Sequence, residues 1–145
     1  MRCIVYISME TRHLCREDIT EILRVSRMKN TVRGITGVLM YYDGLFLQVL
    51  EGEAARLDEL LETLRHDRRH HEVRVLLDET IGERHFADWS MGLVDFTDLA
   101  PEDRWLVHSL DRPLPGLKSH ELADRLRRLV GSFQAMVERE RSGTP

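Results

Sequence analysis

Short apolar runs alternate with longer amphipathic stretches along the first two thirds of the chain. Residues 3–8, 34–42, 45–50 and 73–77 are rich in apolar and β-branched residues, which predicts four strands. After the first and third of these, apolar residues recur every three or four positions, which predicts two helices. With a last strand expected at 89–94, the order predicts an α+β, ferredoxin-like βαββαβ(β) sheet with both helices on one face.

The composition changes beyond Phe96, where prolines and a glycine interrupt two further helical patterns near 101–110 and 119–139. We therefore predict a domain at residues 1–96 and a helical extension at 97–145. The last helix has an apolar stripe formed by Leu122, Leu126, Leu129, Phe133 and Met136 or Val137. Such a stripe must be covered, so the extension is expected to cap the free sheet face; a homo-oligomer interface is the second interpretation.

Composition and charge exclude several classes of protein. The 145 residues are 42% hydrophobic and 32% charged, typical of a folded domain. No apolar run approaches the roughly 20 residues of a membrane span, and none near the start has a signal-peptide core of about 7–15 residues. We therefore expect a soluble, cytoplasmic protein without a membrane partner. A net charge of −4 with interspersed basic residues argues against a nucleic-acid partner.

Three polar side chains fall on faces that the pattern predicts to be buried. Strand alternation places Gln48 with Phe46 and Leu50, and places Tyr6 among apolar residues of the first strand, while Asn30 continues the apolar stripe of the first helix. A buried amide left unpaired costs about 1–3 kcal/mol, so these groups need partners. They either form a private network or bind a flat heterocycle between the two helices, for which a flavin ring is suited.

Competing chemistry has weaker support in the sequence. His66, His70 and His71 beside Asp67 have the residue types of metal ligands, but histidines at a charged helix end are more often solvated, so we predict no metal site. No acidic pair lies within an apolar motif where its pKa would suit acid–base catalysis, and no nucleophile motif is present. We therefore predict that the chain is not an enzyme.

Six motifs occur in a specific order and spacing. They are Ile4-Val5-Tyr6-Ile7-Ser8, Ser26-Arg27-Met28-Lys29-Asn30, Gly34-Ile35-Thr36-Gly37, Phe46-Leu47-Gln48-Val49-Leu50-Glu51-Gly52, Asp67-Arg68-Arg69-His70, and the stretch 84–92 ending in Trp89-Ser90-Met91-Gly92. In these motifs residues 2–95 resemble the BLUF family of blue-light sensors. The resemblance implies a non-covalently bound flavin, FAD, between the first two helices; FMN and riboflavin are expected to substitute for it.

The resemblance also implies roles for individual residues. Tyr6 would donate an electron and a proton to the photoexcited flavin, Gln48 would bridge the tyrosine hydroxyl and the flavin edge, and Asn30 would hold the pyrimidine ring. Recombination would leave Gln48 rotated or tautomerised, with a new hydrogen bond to the flavin. The change would signal to a downstream partner protein or an oligomer; a light-independent interaction module is the alternative.

Five more residues belong to the predicted site. Trp89 and Met91 alternate on the predicted last strand, so both are expected on one face, and the resemblance implies that this pair passes the change outward. Ser26 is expected to line the pocket near the switch. Arg69 and His70 are expected near the flavin ring or its tail.

Overall fold

Five strands and four α-helices follow one another along residues 1–110 and 119–142, the parts of the chain that this computed structural model describes. In chain order they are β1 (Arg2–Glu10), α1 (Arg16–Arg33), β2 (Thr36–Tyr42), β3 (Leu45–Gly52), α2 (Ala54–Arg65), β4 (His70–Thr80), β5 (Gly92–Val94), a short 3-10 helix (Phe96–Asp98), α3 (Pro101–Ser109) and α4 (Ser119–Ser142). This order confirms the predicted α+β, ferredoxin-like arrangement. The parts of the predicted extension at 111–118 and 143–145 lie outside the described residues, as does the side chain of Val137.

The sheet has the strand order β4-β1-β3-β2-β5. β1 is antiparallel to both of its neighbours, and β2 is antiparallel to β3, whereas β5 is parallel to β2. In the register of β1 with β3, Tyr6 lies directly opposite Gln48. Residues opposite one another in an antiparallel pair present their side chains on the same face, so these two polar groups are neighbours.

Local signals fix the ends of the elements that surround this pair. The main-chain N–H of Cys15 donates to Asp18 Oδ2 at 3.0 Å, which caps the start of α1. The helix ends at Gly34, whose φ of 68° is left-handed and favours glycine. Asp43 and Gly44 have φ values of 47° and 81°. A two-residue turn with positive φ at both positions joins β2 tightly to β3.

The sheet has a hydrophobic core on each face. On one face α1 and α2 cover a cluster that includes Ile4, Tyr6, Leu23, Leu39, Phe46, Leu50, Leu57, Leu61 and Met91. On the other face α3 and α4 cover a cluster that includes Val5, Ile7, Val38, Met40, Leu47, Val49, Leu106, Leu126, Leu129 and Phe133. The expected capping of the free sheet face by the C-terminal helices is therefore confirmed.

Polar contacts also attach the C-terminal helices to the sheet. Arg127 of α4 forms an ion pair of 2.9 Å with Glu79 of β4, and the Arg74 guanidinium donates to the carbonyl of Leu110. Among the described helices, α4 included, none has a stretch long and apolar enough to cross a membrane.

The prediction for the last strand was wrong in two respects. The strand was expected at 89–94, but β5 begins only at Gly92, so Trp89 and Met91 precede it. They were expected on one face, but Met91 belongs to the core beneath α1 and α2, whereas Trp89 packs against the core beneath α3 and α4. Two-residue alternation did not apply because residues 89 and 91 are not in a strand.

The path of residues 81–91 explains this difference. After β4 the chain runs along one end of the sheet, where the N–H of Ile81 donates to Met1 O at 3.0 Å and that of Gly37 donates to Trp89 O at 3.0 Å. This end holds the start of β2, and β5 begins here beside it. The fifth strand is therefore parallel to β2, and the segment before it is irregular and contacts both faces.

Candidate functional site

A cavity of about 80 Å³ lies within an open groove between α1, α2 and the sheet. Its lining consists of Tyr6, Ile22, Ser26, Asn30, Leu39, Phe46, Gln48, Leu60, Leu64, Asp67, Arg69 and His70. The structure therefore brings together the six residues that were expected to contact a flavin. Asp67 and the aliphatic side chains were not among the residues predicted for the site, although Asp67 begins a motif that contains Arg69 and His70.

The floor of the groove carries the pair formed by Tyr6 and Gln48. Both are buried, with 2% and 7% of their surfaces exposed. The Tyr6 hydroxyl donates a hydrogen bond to Gln48 Oε1. Burial, with a smaller contribution from the charge of Asp67, raises the pKa of Tyr6 above its ordinary value. The hydroxyl therefore keeps its proton and remains a donor.

The other end of the Gln48 amide faces Met91. Gln48 Nε2 donates to Met91 Sδ at 3.2 Å, and Met91 is buried. A thioether sulfur is a weak acceptor, so this bond holds the amide less strongly than a carbonyl oxygen would. The amide thus links the tyrosine to the segment before β5 through one strong and one weak hydrogen bond.

The last turns of α1 hold this segment in place. Asn30 Nδ2 donates to Ser90 O at 2.9 Å, and Arg27 Nε donates to Met91 O at 2.8 Å. Within residues 1–110 and 119–142, neither the Asn30 Oδ1 atom nor the Ser26 hydroxyl has a hydrogen-bond partner. Both residues line the groove, so these oxygens are available to a ligand.

The rim of the groove is charged on one side. Arg69 and Asp67 form an ion pair of 2.5 Å, and the guanidinium lowers the pKa of the Asp67 carboxyl. Beside them, the His70 ring uses Nε2 with Leu64 O and Nδ1 with the Ser8 hydroxyl, each at 2.7 Å. A carbonyl can only accept, so Nε2 carries a proton. His70 therefore presents its ring to the groove while both nitrogens bind the protein.

The residues that the structure describes form no candidate metal site. Across the described chain, no three His, Cys, Asp or Glu side chains come close enough together to hold a metal ion. His66 lies on the exposed end of α2, where its Nδ1 faces Glu62 O at 2.8 Å. His66 and His70 thus bind main-chain carbonyls and, in His70, a serine hydroxyl.

The groove has the residues that a flavin ring requires. Ile22, Leu60 and Leu64 are half-buried and offer apolar walls from two helices to the faces of a flat ring. Asn30 Oδ1 can accept a hydrogen bond from a ring N–H, and the Ser26 hydroxyl can donate one to a ring carbonyl; the flavin pyrimidine ring provides both groups. Apolar walls and polar edge partners therefore fit this heterocycle.

Comparisons with known proteins agree with this fit. The family BLUF, "Sensors of blue-light using FAD", matches residues 1–92. The β subunit of a photoactivated adenylate cyclase from Euglena longa is 37% identical over 89 residues, which is 61% of this chain and only 10% of that protein. The chain thus spans about a tenth of that curated relative.

Two solved structures are also similar. The dark-state structure of the BLUF protein BlrB is 34% identical with a TM-score of 0.70, over 90% of this chain and 96% of that one. Klebsiella pneumoniae BlrP1, solved with FMN and cyclic diGMP, is 28% identical with a TM-score of 0.66, over 92% of this chain and 34% of that one. Because the family matches well over half of the sequence and the groove fits its cofactor, this chain belongs to the BLUF family of flavin-binding blue-light sensors.

Proposed function

We propose that the photoswitch of this sensor consists of Tyr6, Gln48 and Met91, and that it signals by contact without catalysing a reaction. The observation that carries the proposal is the Gln48 amide, which bridges the Tyr6 hydroxyl and the Met91 sulfur at the floor of the groove. BlrB, a BLUF protein of which this chain matches 96%, supports a role in sensing.

A bound flavin would supply absorption of blue light and an electron acceptor. Tyr6 would supply the electron together with the proton of its hydroxyl, and would recover both before the cycle ends. While the hydroxyl lacks its proton it cannot donate to Gln48 Oε1, so the amide loses its stronger anchor. The weak bond to Met91 Sδ then resists rotation or tautomerisation only slightly.

The remaining residues of the groove have binding roles. Asn30 Oδ1 would accept a hydrogen bond from the ring N–H and the Ser26 hydroxyl would donate one to a ring carbonyl, while Asn30 Nδ2 keeps Ser90 in place. Arg69 and His70 line the groove and would lie near the flavin ring or its tail. FAD is the cofactor, and FMN or riboflavin binds through the same ring contacts.

The signal leaves through the segment before β5. When Gln48 turns, Met91 loses its amide donor, and Trp89 lies two residues away on the opposite face, against the core covered by α3 and α4. We assign sensing to residues 1–96 and output to the extension at 97–145. A downstream protein or a second copy of the chain reads the resulting change in the C-terminal helices.

We also propose the cellular compartment in which the protein is found. Cys3 is buried and Cys15 is exposed, and both are free thiols. Free thiols persist in reducing compartments, so we place the sensor in the cytoplasm.

The visible absorption spectrum of the purified protein, in darkness and after blue illumination, tests the function. A flavin spectrum that shifts slightly to the red and returns in darkness is expected. A flavin-bound protein whose spectrum does not respond to light would contradict the switch.

A light-independent interaction module is the second candidate. Its support is that every side-chain nitrogen and oxygen shut off from solvent, within the described residues, already has a partner in the protein. Tyr6 and Gln48 could then form a static polar core. Such a protein would stay colourless when offered flavin, or bind it without a spectral response.

A further inference from the structure

A buried carboxylate lies at the end of β3, three residues beyond Gln48. Glu51 is 0% exposed and accepts hydrogen bonds from the main-chain N–H groups of His85 at 2.6 Å and Phe86 at 3.0 Å. Its oxygens also contact His85 Nδ1 and the Thr36 hydroxyl, each at 3.0 Å. An odd spacing in a strand puts Glu51 on the face opposite Gln48, so it does not line the groove.

Arg84 completes this attachment. Its guanidinium donates to the Thr36 hydroxyl at 2.8 Å, to Glu51 O at 3.2 Å and to Gly34 O at 2.7 Å. The Thr36 hydroxyl accepts from Arg84 and donates to the Glu51 carboxylate, so one side chain joins the two charges. Residues 84–86 are thereby tied to the end of β3 and the start of β2.

The anchored residues lead directly to the switch. The N–H of Trp89 donates to Phe86 O at 2.9 Å, and Trp89 O accepts from Gly37 at 3.0 Å. Two residues later, Met91 places its sulfur against the Gln48 amide. A shift of residues 85 and 86 is therefore carried through a short turn to the position of Met91.

The burial and the charge of Glu51 indicate that this residue positions the main chain accurately. A buried charge is costly unless it is fully hydrogen-bonded, and an apolar residue would satisfy the same core more simply. Only an acceptor with two oxygens can receive the N–H groups of two successive residues while also accepting from Thr36. Glu51 therefore fixes the main chain of this segment as well as filling space.

We propose that Glu51 is a positioning residue of the photoswitch: by holding the main chain of His85 and Phe86 it fixes Met91 against Gln48 and slows recovery of the dark state. This inference rests on the proposed function of Gln48 and Met91. The amide must turn back within a close-packed pocket during recovery. A loosened segment gives the amide room, which lowers that barrier.

The test is the rate of dark recovery in Glu51→Gln, compared with the wild type and with Glu53→Gln. The glutamine nitrogen cannot accept from an N–H, so one main-chain bond is lost while the size is kept. Recovery about fivefold faster is expected, with flavin content unchanged. Glu53 is exposed and only two residues away, so Glu53→Gln should recover at the wild-type rate.

A second variant and a measurement in darkness test the role of Glu51 independently. Thr36→Val removes the hydroxyl that joins Arg84 to Glu51, and valine is a favourable residue in a strand. This variant should also recover faster than the wild type. Amide hydrogen exchange across residues 84–91 should increase in both variants before any illumination. Unchanged or slower recovery in the folded variants would overturn the role of Glu51, whereas a wild type without a light response would instead refute the switch itself.

Discussion

The side-chain nitrogen of Gln48 donates a hydrogen bond of 3.2 Å to the sulfur of Met91, and both residues are buried. The same amide accepts a hydrogen bond from the Tyr6 hydroxyl through its oxygen. One end of the amide is thus held by a hydroxyl and the other by a weak acceptor. An amide held in this way can change partners at small cost once the hydroxyl stops donating.

Tyr6→Phe should bind flavin as the wild type does but lose the light-induced red shift, because the electron and proton donor is gone. Difference spectra after blue illumination, at matched flavin content, measure this. Tyr41→Phe is the matched control, since Tyr41 lies on the same sheet face but donates to Glu10. A normal shift in Tyr6→Phe would refute the proposed mechanism.

Gln48→Leu should abolish the shift and lower the free energy of unfolding by about 1–3 kcal/mol, because the buried Tyr6 hydroxyl loses its acceptor. Adding Tyr6→Phe removes that unpaired hydroxyl. The double variant should therefore lose less stability than the sum of the two single variants, as denaturant unfolding can show. Strict additivity would mean that the two side chains are not coupled.

Asn30→Ala should weaken flavin binding by about tenfold, the effect of removing roughly one to two hydrogen bonds to the ring and to Ser90. Titration of the flavin-free protein with FAD measures the dissociation constant. Lys29→Ala changes the preceding, exposed residue and should leave affinity unchanged. Equal affinities of the two variants would remove Asn30 from the binding site.

The light response should persist from neutral pH to about pH 10, because burial raises the pKa of Tyr6 above the ordinary value of 10.0. The sign follows from proton linkage. Above pH 10 the unfolded chain releases the Tyr6 proton while the folded chain keeps it, so this residue's contribution to stability declines only on the alkaline side. Loss of about half of the shift at pH 10 with the fold intact would show that Tyr6 ionises normally.

One of the two thiols should react with a thiol reagent at pH 8 in the native protein, and both after unfolding. Cys3 is buried, and burial raises its pKa to about 12, so it lacks the reactive thiolate. Cys15 is exposed at the start of α1. Mass spectrometry after labelling counts the modified thiols, and rapid labelling of Cys3 would indicate that the β1 edge opens.

Periodicity determined much of the fold and of the site. Alternation of Phe46, Gln48 and Leu50 assigned the strand face, and helical spacing placed Ser26 and Asn30 on the face that meets it. These assignments held because regular elements repeat their side-chain directions every two or 3.6 residues. Face and residue type together therefore predicted a polar cluster beneath two helices.

Only the tertiary structure decided what lies in irregular segments and across the sheet. Trp89 and Met91 face opposite cores because the chain crosses the end of the sheet without a repeating geometry there. The partners of Glu51 come from residues 34–35 positions away along the chain, which no local pattern specifies. The sequence alone thus determined the faces and the residue types of the proposed switch, whereas the position of Met91 depends on contacts between distant segments, because only packing brings those segments together.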